Sequence, residues 1–548
     1  MTDLFTRHRP LLESALKALE TREFWTPFPE IPSGKIYGET AKDEGASTYS
    51  ALLGAAFDLP GHPEEGRVGA EVSPWGPELG ITYPAAAPET LIAASEAAAP
   101  GLAEASVEAR TGALLEALVR LNRMSFLLGH ATMHTTGQAF AMAFQAGGPH
   151  AQDRGLEALA MAYSELTRSA RDAVWEKPQG RHAPLVIEKH WTLVPRGIAL
   201  TVGCNTFPTW NGYPGIFASL ATGNPVIVKP HPRAILPLAL TVRVLREVFA
   251  EAGLPQDAVL LAADAPGAEI TRELATHERV ALIDYTGSTA FADWIRANSR
   301  AQVFTEEAGV NSVTITGTDD FAGMCANLAF SLSLYSGQMC TSPQNLYIPR
   351  GGIETDEGHK SFDEVAAGLT AAIDALLSDP DRAAGVCGTI VNPATLERIS
   401  AARGAGKVVR DSGQTGHGRS ATPLLVAVEG EDGPQNDECF GPVSFLVPCD
   451  SAEEAIARAA GIARRKGAIT AALYATDDAL VARAARAFAQ AGVNLSVNLT
   501  GNIYVNQSAA FSDFHVTGAN PAGNASLTDT AFVAPRFRRV MIRWPKAA

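Results

Sequence analysis

The chain has 548 residues, enough at roughly 150 per domain for three to four domains with several buried cores. Its 44 basic and 59 acidic residues leave a net charge of −15, which argues against nonspecific nucleic-acid binding and against docking on anionic membranes. No basic-then-apolar start and no apolar run of about 18 residues is found, so neither a secretory signal nor a spanning helix is expected.

Residues 1–105 read as an irregular leader, because Pro and Gly recur through PFPEIPSGKIYGE, LPGHPEEGRVG and SPWGPELG; such a segment would wrap a larger body. Apolar spacings of three and four then predict amphipathic helices over 108–134 and 155–176. From 197 onward short β-rich runs alternate with helical stretches: GIALTVG, PVIVKP, AVLLAAD and ALIDYTG, each leading into a helix. That order predicts parallel βαβ units. A second alternating region starts near 309, with SVTITG, a helix over 319–338, NLYIPR and a helix over 361–378, and runs to about 499. The terminal FRRVMIRW (537–544) reads as a strand able to pair with an edge elsewhere or on another subunit.

Parallel units place ligands at the carboxyl ends of their strands. No GxGxxG follows any of these strands. The strand ends instead carry Asn205, Lys229, the turn Thr286-Gly287-Ser288 and the pair Glu306-Glu307; Cys340 lies downstream in SGQMCTS, and Glu438 and Phe440 in ECFGP. A cysteine and carboxylates at strand ends suggest a thiolate that attacks a carbonyl carbon, with a carboxylate to activate water against the thioester. Six scattered cysteines (Cys204, Cys325, Cys340, Cys387, Cys439, Cys449) contain no CxxC pair, so neither a disulfide framework nor a zinc cluster is expected, and a reducing cytoplasm fits. No His and carboxylate pattern supports a metal, and His134 and His150 read as structural or tunnel-lining.

Six ordered motifs together resemble the aldehyde dehydrogenase superfamily from about residue 105 to the end: Asn-Thr-Phe-Pro at 205–208, LATGNPVIVKP at 220–230, TGST at 286–289, Glu-x-x-Gly from Glu306, GQMCTS at 337–342 and ECFGP at 438–442. The 34-residue interval from Glu306 to Cys340 is the one that superfamily uses between base and nucleophile. The segments 134–158, 203–215 and 229–239, with the leader's YPAAAPETLIAA, resemble the PaaN-type aldehyde dehydrogenases of phenylacetate degradation.

The resemblance implies an α/β aldehyde dehydrogenase fold with two doubly wound lobes and a β-hairpin oligomerisation arm. The expected division is a wrapping segment (1–105), a dinucleotide-binding domain (106–175 and 196–306), a catalytic domain (307–515) and an arm (176–195 and 516–548). It implies Cys340 as nucleophile, Glu306 rather than Glu307 as base, and Asn205 as oxyanion partner. Lys229 would hold the adenosine ribose, Thr286, Gly287 and Ser288 the pyrophosphate, and Glu438 and Phe440 the nicotinamide side. Thr206 is an insertion relative to most of the superfamily, and Ala292 replaces the last glycine of GSTxxG. Where NAD-preferring members commonly place a Glu, this chain has Pro232 between His231 and Arg233, so NADP is expected in preference to NAD. The implied reaction is a non-acylating oxidation of an aldehyde, through a thiohemiacetal and a thioester, on a CoA-linked ring-cleavage semialdehyde. A separate enoyl-CoA hydratase would open the ring, and the enzyme would be a homodimer or homotetramer. The alternatives are a CoA-acylating dehydrogenase and a catalytically silent scaffold in a phenylacetate enzyme assembly.

Overall fold

The computed structural model of the protein describes residues 3–430, 432–527 and 529–546. The β-rich runs after 197 form one five-stranded sheet, in the spatial order Val259–Leu261, Val226–Lys229, Ile198–Val202, Val280–Thr286, Gln302–Glu306. Every neighbouring pair is parallel. Helices on both faces explain why the runs are almost continuously apolar: a parallel sheet of this kind has no wet face. The chain winds outward from Ile198–Val202 first in one direction and then in the other, so the switch point lies between that strand and Val280–Thr286. Loops leaving the carboxyl ends there must diverge, which opens a crevice. The second sheet has seven strands, in the order Lys407–Arg410, Leu424–Ala427, Val443–Cys449, Asn345–Pro349, Ser312–Ile315, Thr470–Tyr474, Asn494–Val497, and only the first pair is antiparallel. The architecture is thus two doubly wound α/β lobes with a β-hairpin arm.

The arm is an antiparallel sheet in which His182–Pro195 lies between Asp172–Gln179 and Phe537–Pro545. The terminal strand therefore pairs with its own chain's hairpin, from Phe537 opposite Pro195 to Pro545 opposite Ile187. At the root of the arm the fully buried Arg536 donates to both carboxylate oxygens of Asp284 (2.5 and 2.9 Å) and to Ser219 Oγ (2.6 Å).

Three expectations fail locally. The leader is not irregular: it contains the helices Leu4–Thr21, Ala41–Leu52 and Pro88–Glu104. Pro10 and Pro100 lie inside two of them, and tertiary packing supplies what the sequence pattern lacks. A Cβ on Gly112 would meet the Phe5 backbone nitrogen at 2.4 Å, which measures how closely the first helix approaches Val107–Arg123. The helix expected over 155–176 ends at Thr167, and its tail enters the arm as Asp172–Gln179. The helix expected over 319–338 stops at Ser333, for a reason that belongs to the site. Among the described residues no helix is long and apolar enough to cross a membrane.

Candidate active site

The crevice is a cleft of about 570 Å³ between the lobes, lined by Asn205, Thr286, Gly287, Ser288, Glu306, Cys340, Glu438 and Phe440 among others. Eight of the nine residues to which the resemblance gives a role meet there. Lys229 is the exception: it is 2% exposed, and its ammonium donates to Asp264 Oδ1 (2.7 Å) and to the Pro230 carbonyl (2.7 Å) instead of facing the cleft. Burial dominates both members of that pair, pushing the lysine down and the Asp264 carboxyl up.

Cys340 is delivered by a turn that an α-helix cannot make. After Ser333 the backbone enters the left-handed region three times in succession, at Tyr335 (φ 51°), Ser336 (φ 50°) and Gly337 (φ 62°). A Cβ on Gly337 would stand 2.3 Å from the Gly441 carbonyl oxygen, so this position requires glycine. Side chains hold the two strained non-glycine residues: the Tyr335 hydroxyl donates to the Thr136 carbonyl, and Ser336 Oγ donates to the Cys387 (3.0 Å) and Ala421 (2.7 Å) carbonyls. Asn311 Nδ2 fixes the far side of the loop by donating to the carbonyls of Cys340 (2.7 Å) and Ser342 (3.0 Å).

The adjacent glutamates diverge. Glu307 takes Arg296 on both oxygens (2.5 and 3.2 Å) and Thr305 Oγ1 (2.7 Å), so its charge is matched away from the thiol. Glu306, 2% exposed, accepts from Asn211 Nδ2 (3.0 Å) and faces the Cys340 thiol. Burial alone would push its carboxyl up; His515, the thiol and the Arg154 guanidinium overcome that and hold it below the usual carboxylate range. Burial pushes the Cys340 thiol well above its ordinary value, and Glu306 pushes it further. Asn205 presents a buried Oδ1 with no partner among the described residues. The inserted Thr206 turns its carbonyl to accept from Gln138 Nε2 (2.8 Å), which anchors the lengthened loop.

Two side chains escaped the sequence reading. Cys204, given no role there beyond being one of six scattered cysteines, lines the cleft. His515, on the loop after the last strand of the seven-stranded sheet, is 5% exposed and puts Nε2 3.6 Å from Cys340 Sγ and 3.4 Å from Glu306 Oε1. No local pattern marks this histidine; 175 residues separate it from the cysteine. Among the described residues no other trio of His, Cys, Asp and Glu side chains lies as close, with reactive atoms within 4.8 Å of one another. His134 packs flat on Tyr49 (5.0 Å) and bonds Ser73 Oγ (3.0 Å), while His150 pairs with Glu30 (2.7 Å); both act in holding the leader.

The residues fit a nicotinamide dinucleotide. Thr286-Gly287-Ser288 opens the ten-residue helix Thr289–Asn298, whose free N–H groups suit a pyrophosphate. A Cβ on Gly287 would collide with the Tyr285 hydroxyl at 2.4 Å. The far end of the cleft is lined by His231 and by Arg233, which has no acidic partner among the described residues.

Residues 66–523 match the model of the aldehyde dehydrogenase family. A benzaldehyde dehydrogenase [NAD(+)] of Pseudomonas putida is 27% identical over 314 residues, 55% of this chain; the chain spans 61% of that relative's length. The crystal structure of an NAD-dependent aldehyde dehydrogenase from Burkholderia multivorans is 50% identical with a TM-score of 0.98, covering 100% of this chain and 99% of the other. A 1-pyrroline-5-carboxylate dehydrogenase from Thermus thermophilus shares the fold at 19% identity (TM-score 0.76, 96% and 99% covered).

Proposed function

The chain belongs to the aldehyde dehydrogenase family, and from that premise we propose that it oxidises an aldehyde to the free carboxylic acid with a nicotinamide dinucleotide, Cys340 being the nucleophile. The observation that carries this reading is the contact of the Cys340 thiol with the buried Glu306 carboxyl in a cleft that Thr286, Gly287 and Ser288 also line. Glu306 takes the thiol proton and Sγ adds to the aldehyde carbon. The oxygen becomes an oxyanion, for which Asn205 and the Cys340 backbone N–H are the donors. The bound nicotinamide supplies the acceptor for the hydride that leaves that carbon. A thioester remains on Cys340; Glu306, having released the thiol proton to solvent, takes a proton from water as the water attacks it, and the acid is released.

The finer assignments are ours as well. NADP is preferred over NAD: Pro232 removes a carboxylate, Lys229 neutralises Asp264, and Arg233 lies close enough to Arg419 to add to the burial that lowers it. The aldehyde is a CoA-linked ring-cleavage semialdehyde, a reading that rests on the resemblance of segments 134–158, 203–215 and 229–239. Water, not CoA, is the acyl acceptor, because Glu306 stands beside the thioester. The arm, exposing Val540, Ile542 and Trp544, joins protomers into a dimer or tetramer. Steady-state comparison of a CoA-linked semialdehyde with aromatic and aliphatic aldehydes tests the substrate, and a higher kcat/KM for the simple aldehydes overturns it.

The chemical steps separate in two variants. Cys340→Ala abolishes cofactor reduction. Glu306→Gln slows the burst of reduction while leaving its amplitude stoichiometric, and turnover falls further still, by about 10²–10⁴. A burst as fast as the parent's removes Glu306 from the thiol step, and a turnover that falls no further than the burst rate removes it from the hydrolytic step.

A further inference from the structure

The surroundings of Cys340 favour keeping its proton. Glu306 touches the thiol, Glu438 and Cys204 add to the effect, and Glu307 is turned away onto Arg296. Once Glu306 takes the proton, the buried thiolate needs a donor. His515 is placed to be one, with a single nitrogen shared between the two reacting groups, 3.6 Å from Sγ and 3.4 Å from Oε1.

The other ring nitrogen decides where the histidine proton sits. Nδ1 is buried and has no partner among the described residues. A buried N–H without an acceptor is rarer and costlier than a buried lone pair without a donor, so the proton belongs on Nε2. Arg154 nearby is paired with Glu157 (3.0 Å) and Asp513 (3.0 Å). The ring itself is fixed edge-to-face on Trp210, centroids 4.4 Å apart, and Arg154 lies over the same indole at 5.1 Å.

We propose that His515 is a hydrogen-bond donor whose one Nε2–H serves Glu306 while the thiol is protonated and turns to Cys340 Sγ once Glu306 has taken the thiol proton. The step balances: the S–H bond breaks, an O–H bond forms on Glu306, and the negative charge moves from carboxylate to sulfur. The imidazole neither gains nor loses a proton. It deepens the reading of Cys340 as nucleophile and Glu306 as its proton acceptor, and rests on it.

Gln and Phe at position 515 separate a donor from a base. Gln keeps an N–H donor and has no basic nitrogen; Phe keeps the packing against Trp210 and has no donor. In the full-length enzyme, the rate of iodoacetamide alkylation that depends on Cys340 is followed against pH, with Cys340→Ala as the blank. His515→Phe is expected to move the profile up by about one unit, about tenfold slower alkylation at neutral pH. His515→Gln stays within about twofold of the parent. Gln as slow as Phe makes the ring a proton-carrying base and overturns the proposal, as does an unchanged Phe variant. Should Phe fail to fold, His515→Met gives the same apolar contrast. Failure of the underlying reading has its own signature: a Cys340→Ala enzyme that still reduces cofactor in a burst, whatever position 515 does.

Discussion

The two ends of the cleft are built on opposite plans. At the thiol end Glu306, Cys340 and His515 are each held by another protein group: Asn211 on Glu306, Asn311 on the Cys340 carbonyl, Trp210 beside His515. At the far end Lys229 is tied to Asp264, His231 is pushed down to about 4 by burial and by the cations beside it, and Arg233 has no acidic partner among the described residues. The first end spends its polar groups on each other and so pays the ordering cost before substrate arrives. The second end leaves a positive charge for the ligand to match. Preorganisation belongs to the chemistry, and residual charge to recognition.

Asn205 tests the preorganised end hardest, since no partner among the described residues holds its buried Oδ1. Asn205→Ala removes the donor proposed for the developing oxyanion, and kcat should fall by about 10²–10³. Cofactor affinity, read by fluorescence titration with the reduced dinucleotide, should hardly move. A loss confined to KM would break the comparison, because it would make Asn205 a recognition group.

Arg233 tests the other end, with a smaller effect. Arg233→Glu reverses the charge that no carboxylate matches, so kcat/KM for NADP should drop about tenfold or more while NAD changes little. Equal losses for both dinucleotides would reduce Arg233 to packing and remove the recognition half of the contrast.

The same split governs what could be read from the sequence. Cys340, Glu306 and the helix-opening Thr286-Gly287-Ser288 were legible because strand ends and short motifs place them with little help from tertiary structure. Lys229 was legible as a position and not as a direction: the strand brings it to its end, but Asp264, one strand over, decides where the ammonium points. His515 was invisible, since a lone histidine in an irregular loop becomes chemical only when Arg154 and Asp513 hold that loop against the thiol. The leader's helices were hidden for a related reason. Its Arg22 reaches Glu157 (3.1 Å), and its buried Glu71 accepts from the backbone N–H groups of Ile235 (2.6 Å) and Leu236 (3.1 Å) at the start of the helix Leu236–Glu251, so its structure is written in contacts more than 100 residues away. The leader is thereby built into both ends of the cleft: Arg22 through the Arg154 network behind His515, and Glu71 through the helix that follows Lys229 and Arg233.

Glu438 lies between the two plans and sharpens the boundary most gently. Burial pushes its carboxyl up to about 7, against the Gly309 N–H (3.3 Å) and the Arg398 charge that favour ionisation. Its proton is thus held more tightly in the folded protein than in the unfolded chain. The stability this contributes is complete below the unfolded value near 4.5, declines as pH rises toward 7, and is gone above it. Glu438→Gln carries no such titration. The variant's advantage over the parent should therefore appear above pH 4.5, grow up to about 7 and then level off, reaching on the order of 1–3 kcal/mol after solvent screening. Paired denaturant melts of the two proteins across pH 4.5–8, without dinucleotide, measure it. A difference that is flat with pH would mean that Glu438 is solvated like a recognition group. A rising one places it with the thiol end, where a carboxylate is kept at the cost of stability because the chemistry beside it needs a poised charge.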